Sequence, residues 1–385
     1  MMIFDKKHLE NTFLLEEAKK LNSQGFISKK QLCKISQLPV LKSHNNILIR
    51  VGFFILGCLL FSSLTGVISL VTIGLAESHF WVMLAVYTIL GIVGSEFLAR
   101  GQQQFGYGLD DAFILGFQGS FCATVGVAFE SPMAAFIALA VIGFAACVRY
   151  INTLSLLLSL IGITGAICYV VLELKIVNSA FLPIILLLVS IILYFIYTKV
   201  AISEQFKFYK SPILLLRGFT LLLGYFSMNY LVVRELSEAL LGLKIAEGED
   251  IPLAFVFYGF TLLTPIFYIA YSLYSKNRLM LIIGLLVFGF SIYTIRFYYH
   301  LMPIEAALLL GGTLLFVVAS TAINKLKNKE KGLTFKAARG SDADILPNLE
   351  ALIANSQVDL EPVESQSKMP FGAGGFSGGG AGESF

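Results

Sequence analysis

Charge is scarce in this sequence: only 14% of its 385 residues are Asp, Glu, Lys or Arg, against roughly a quarter in an ordinary soluble domain. With 57% hydrophobic residues and a mean hydropathy of +0.80, the chain carries more apolar surface than a soluble globule can hide. Potential metal ligands are few and scattered. Cys33, Cys58, Cys122, Cys147 and Cys168 form no CxxC pair, and the last four lie in apolar runs, which argues against a disulfide framework. His8, His44, His79 and His300 show no HExxH or Cys/His spacing, so neither a metal centre nor any cofactor is expected. A Walker loop and a GxSxG elbow are also lacking, which argues against ATP coupling and serine-based catalysis; no catalytic residue is assigned. The net charge of +3 is too small and too unevenly placed to suggest nucleic-acid binding. About 45 polar and charged residues precede the first apolar run, too many for a signal peptide, so the first span is expected to act as an uncleaved anchor.

Long apolar segments fill the remainder. They run over residues 46–75, 80–99, 111–129, 132–148, 151–172, 179–199, 211–233, 251–274, 279–299 and 303–324. Most reach the length that spans hydrocarbon, and only helices satisfy their backbone there. The fold class expected is therefore an all-α integral membrane protein of about ten transmembrane helices over 46–324. A small cytoplasmic helical hairpin (1–45) precedes it, and a cytoplasmic tail (325–385), largely disordered, follows.

In the hairpin, Leu9, Phe13, Leu14, Ala18 and Leu21 fall at helical spacing, Gly25 marks a break, and Ser28 is placed to cap a second helix carrying Leu32 and Ile35. Its expected place is on the membrane or on cytoplasmic loops. Glu130-Ser131-Pro132 sets a capping serine before a first-turn proline, and Met302-Pro303 repeats the device before the last span. Asp110 and Asp111 suit the positive end of a helix dipole. The end of the tail, FGAGGFSGGGAGESF, is low-complexity glycine.

Alternating ten spans across a bilayer puts twenty-three Lys and Arg on the face of the termini and three (Lys175, Arg234, Lys244) on the other, with Arg217 and Arg296 inside spans. That asymmetry predicts cytoplasmic N and C termini.

Three segments carry a family resemblance: "EEAKKLNSQGFISKKQLCKI" in the hairpin, "EFLARGQQQFGYGLDDAFILGFQGS" from Glu96, and "RFYYHLMPIEAALLLGGTLLFVVAS" from Arg296. They resemble an uncharacterised group of bacterial inner-membrane proteins built from domains of unknown function 2157 (the front end) and 4401 (the membrane part). The Gly/Phe-rich end is most similar to members from Bacteroidetes. The resemblance implies a ten-span protein of the bacterial inner membrane and brings no activity with it.

Ionisable and polar groups inside spans are the candidate sites. Glu96 and Arg100 stand four apart in the favourable order for a helical ion pair at the membrane boundary. Gln118 lies among Gly116, Gly119, Ser120, Ala123 and Gly126, a stripe expected to pack closely with the glutamine as interhelical glue. Arg217 is expected to snorkel to the cytoplasmic surface. The densest cluster is Arg296, Tyr298, Tyr299, His300 and Glu305, where Arg296 and Glu305 are expected to pair across the Pro303 turn.

Three functions fit. The first is a structural or accessory component of a membrane assembly, bedded in the lipid bilayer and meeting a membrane-protein partner through the hairpin or the tail. The second is a secondary transporter of a small solute or ion, in which five-plus-five inverted repeats would show matching helix breaks. The third is a lipid-modifying enzyme, for which only the Arg296–Glu305 group would serve.

Overall fold

In the computed structural model, the described residues are 2–23, 27–43, 46–72, 79–241, 254–275 and 277–299, with isolated helical positions from Leu309 to Asn324. Among them there is no strand, only one isolated bridge between Lys42 and Gln104. The protein is a helical membrane protein, and nine of its described helices are long and apolar enough to cross a bilayer. Two short helices come first, α1 (Lys6–Ser23) and α2 (Lys29–Ser36). The next five are α3 (Ile47–Val71), α4 (Phe80–Glu96), α5 (Leu109–Ala128), α6 (Pro132–Tyr150) and α7 (Thr153–Leu172). They are followed by α8 (Leu182–Ile202), α9 (Lys210–Met228), α10 (Tyr230–Leu241), α11 (Ala254–Ser275) and α12 (Arg278–Tyr299).

Local chemistry sets the ends. Ser28 caps α2 in a reciprocal box with Gln31, Ser131 accepts from the Ala134 amide at the start of α6, and Asn152 accepts from the Ser155 amide at the start of α7. The α4 ladder loosens into a π-turn over Phe97–Gly101 before the chain leaves the span.

Close packing comes from small residues. Gly143 of α6 and Gly162 of α7 sit where an added Cβ would lie within 2.8 Å and 2.5 Å of the opposing backbone, so these two helices touch main chain to main chain. The small-residue stripe on α5 divides: Gly116 receives Phe61 of α3, Gly126 faces Ala135 of α6, and Gly119 meets nothing within 4 Å. Further along, Ser190 of α8 donates to the Thr220 carbonyl of α9 at 2.7 Å, and Ser291 of α12 donates to the Thr261 carbonyl of α11 at 2.6 Å. Each hydroxyl supplies the interhelical bond that apolar packing in lipid does not.

One expectation is corrected. The apolar run 211–233 is not one helix: α9 stops at Met228, Asn229 is extended (ψ 128°), and α10 starts at Tyr230. Asn229 stabilises the break through its own side chain, accepting from the Val232 amide at 3.2 Å and donating to the Tyr225 hydroxyl at 2.9 Å. The spans also do not pair alike in the two halves, since α3 packs chiefly on α5 whereas α8 packs chiefly on α9. Gly25, most of the expected tenth span and the tail lie outside the described residues.

The first helix lies across one end of the bundle, on loops rather than on lipid. Leu9 is fully buried (0% exposed), and Phe13 sits between Phe105 and Phe208, with ring centroids 6.2 and 6.1 Å away. The Ile3 amide donates to the Arg149 carbonyl at 3.0 Å, the Leu41 amide donates to Thr12 Oγ1 at 2.9 Å, and Lys207 pairs with Glu10 at 2.8 Å. Its hydrogen bond to that ammonium holds the Glu10 carboxyl below its usual range. By contrast, α2 buries none of its residues.

Candidate functional site

The loops that receive α1 also build the most polar part of the molecule. The chain turns into α5 through Gly106 (φ +61°) and Gly108 (φ +107°), conformations that favour glycine, and a Cβ on Gly108 would fall 2.2 Å from the Arg50 carbonyl. That close approach seats the start of α5 against the start of α3. Asp110 then closes the turn, its carboxylate accepting the Gly106 and Gly108 amides at 2.8 and 2.9 Å.

Asp111 points the other way, into the bundle, and is 3% exposed. Its Oδ2 accepts Nε and Nη2 of Arg50 at 2.9 and 2.6 Å, and its Oδ1 accepts Nδ2 of Asn152 at 2.5 Å. Asn152 Oδ1 accepts the Ser155 hydroxyl at 3.1 Å, and the Ser155 oxygen accepts Nε2 of Gln118 at 2.7 Å. A continuous column, Arg50–Asp111–Asn152–Ser155–Gln118, thus ties α3, α5 and α7 together and runs about 10 Å into the span, the rise of the seven residues from Asp111 to Gln118. It ends on an amide: Gln118 is 0% exposed, with Nε2 also donating to the Ile114 carbonyl and Oε1 lacking a hydrogen-bond partner. An uncharged amide cannot pass a proton onward, so the column is suited to holding three helices in register.

Beside it, Glu96 gathers a second cluster. Arg149 contacts its Oε1 through Nε at 2.6 Å and Nη2 at 2.5 Å, the Tyr150 hydroxyl donates to the same oxygen at 2.9 Å, and Arg100 reaches Oε2 at 3.2 Å. A cleft of about 380 Å³ is lined by Arg50, Asp111 and Asn152 of the column, by Tyr150, and by Phe13, Glu16, Phe105 and Phe208. Ile114 is the deepest α5 residue on its wall; Gln118 is not part of the lining.

The expected site residues are distributed as follows. Glu96 and Arg100 pair, though Arg149 makes the tighter bonds. Gln118 joins helices as expected. Arg217 does not snorkel to an exposed position: it is 5% exposed, with its guanidinium carbon 5.4 Å from the Tyr197 ring centre. Arg296 stands in the last turns of α12, and the side chains of Tyr298 and Tyr299 lie outside the described residues, as do His300 and Glu305, so the expected Arg296–Glu305 pair does as well. Sequence reasoning missed the Arg50–Asp111–Asn152 set. The usable signal was three polar residues, each at the same-side end of a different span. Among the described residues no group of His, Cys, Asp and Glu could hold a metal ion. No protein-family profile, curated protein or solved structure matches this chain.

Proposed function

We propose that this chain is a structural or accessory component of a bacterial inner-membrane assembly, with both termini in the cytoplasm and its partner received on the N-terminal segment. One observation carries this reading: the N-terminal segment is held against one end of the bundle by Leu9, Thr12, Phe13 and the Ile3 amide, while no residue of α2 is fully buried. A rigid base thus presents a short basic helix whose Leu32 and Ile35 are only half-buried, which is an arrangement suited to a docking element. The buried column ending in an amide supports a scaffold over a relay. The kinship to the uncharacterised inner-membrane group belongs to the same proposal and rests on the hairpin and on the 96–120 segment that supplies Glu96, Asp111 and Gln118. The test is photo-crosslinking in living cells from a reactive residue at position 32 or 35. One discrete protein adduct is expected, and adducts with lipid alone would sink the proposal.

The transporter reading draws on the α9–α10 break, whose Tyr230 amide is bonded to Thr261 Oγ1 of α11 at 3.0 Å, four residues before Pro265 of that helix. The unlike pairing of α3 and α8 counts against five-plus-five repeats.

A further inference from the structure

Arg217 is a buried cation inside a membrane span whose charge no group among the described residues balances. It lies seven residues beyond Lys210, roughly 10 Å along α9 from that end. It is 5% exposed, its Nε is buried without a hydrogen-bond partner, and among the described residues no carboxylate pairs with it. Two more exposed arginines differ: Arg50 has Asp111 and Arg149 has Glu96. A charge inside a span is costly on insertion scales unless compensated. Its neighbours are donors and aromatic faces instead. Tyr197 of α8 lies under the guanidinium, Tyr194 is within electrostatic reach of both Arg217 and Tyr271 of α11, and the Tyr194 and Tyr197 rings are 5.6 Å apart. Tyr194 and Tyr197 are half-buried and Tyr271 is exposed, so the group borders the lateral surface of the helices. At this same end of the spans stand Lys199, Lys210 and Arg278, which draw anions toward it.

We infer that Arg217, with Tyr194 and Tyr197, forms an intramembrane anion site on the side of the N-terminal segment, taking a phosphate or carboxylate group carried by a lipid or by a soluble anion. A guanidinium fork with a free Nε–H and phenol donors nearby matches the oxygens of such a group, and the bound anion supplies the missing counter-charge.

The full chain would be reconstituted in phosphatidylcholine nanodiscs, in discs doped with phosphatidylglycerol, and in neutral discs with inorganic phosphate in the buffer. Wild type is expected to unfold roughly 3 °C or more higher with one of the anions than without. A rise with phosphatidylglycerol alone assigns a lipid headgroup, and a rise with phosphate assigns a soluble anion. Arg217→Met should lose that rise, yet be at least as stable as wild type in neutral discs, because it removes an uncompensated charge. Lys210→Gln should keep the rise, which separates the site from the diffuse basic surface. Should Arg217→Met not accumulate, Arg217→Gln takes its place. The inference is overturned if neither anion shifts wild type, or if the Arg217 variant responds as wild type does.

Discussion

Arg50 is the exposed partner of a buried acid, its side chain 42% exposed against 5% for Asp111. Removing it as Arg50→Met leaves Asp111 desolvated with only Asn152 to bond, and should cost about 2–3 kcal/mol. Arg50→Met with Asp111→Leu removes both charges and should recover most of that loss, as read by thermal unfolding in detergent; a double variant worse than the sum of the singles would refute the pairing. At this scale the sequence was half legible. Glu96 and Arg100 could be paired because helical spacing sets them on one face. Arg149, 53 residues from Glu96, and Asp111, 61 from Arg50, could not, because side-chain chemistry does not encode which span neighbours which. Arg217 was located but misjudged: its depth follows from counting residues, whereas its neighbours Tyr194 and Tyr197 come from another helix.

Between helices, the tightest seam is that of α6 and α7. Gly162→Val would drive its side chain into the Ala140 amide and the Phe136 carbonyl, both backbone atoms that cannot give way. It should cost about 2–3 kcal/mol in thermal unfolding, while Gly119→Ala, facing open space, should be neutral or mildly stabilising through helix propensity. If the two variants behave alike, the seam is not where it is placed here. Helix existence and most boundaries followed from apolar run length, capping serines and Pro132, since these act locally. The Asn229 break did not, because Ser227-Met228-Asn229-Tyr230 contains neither Gly nor Pro, and the interruption is stabilised by Tyr225 one turn back and by Thr261 and Thr294 across the bundle. Asn229→Ala removes the bonds to Tyr225, Thr294 and the Val232 amide together and should cost about 1–2 kcal/mol; unfolding at the wild-type temperature would argue against them.

Over the whole molecule, lysine and arginine placement implied the alternation of spans, and the loops that meet α1 are those of one end, as that alternation requires. What charge placement could not convey was that the N-terminal segment covers this end. Its five apolar positions at helical spacing are equally suited to lipid, and only Phe105 and Phe208 decide the matter. Leu9→Ala should therefore loosen α1 rather than unfold the spans. The expected sign is faster tryptic cleavage at Lys19, Lys29 and Lys30 with the midpoint of the bundle nearly unchanged. Cleavage at the wild-type rate would mean that α1 is held elsewhere.

Glu10 and Lys207 are 197 residues apart, and Phe208 follows directly. At ribosomal speeds, roughly 10–40 s separate the synthesis of the two. For that interval Phe13 has Phe105 but lacks Phe208, and Glu10 lacks Lys207, so the seat of the front end stays incomplete until six spans have been laid into the membrane. Assembly therefore has a clock: the last contacts that seat the newborn segment come only once Lys207 and Phe208 have been made.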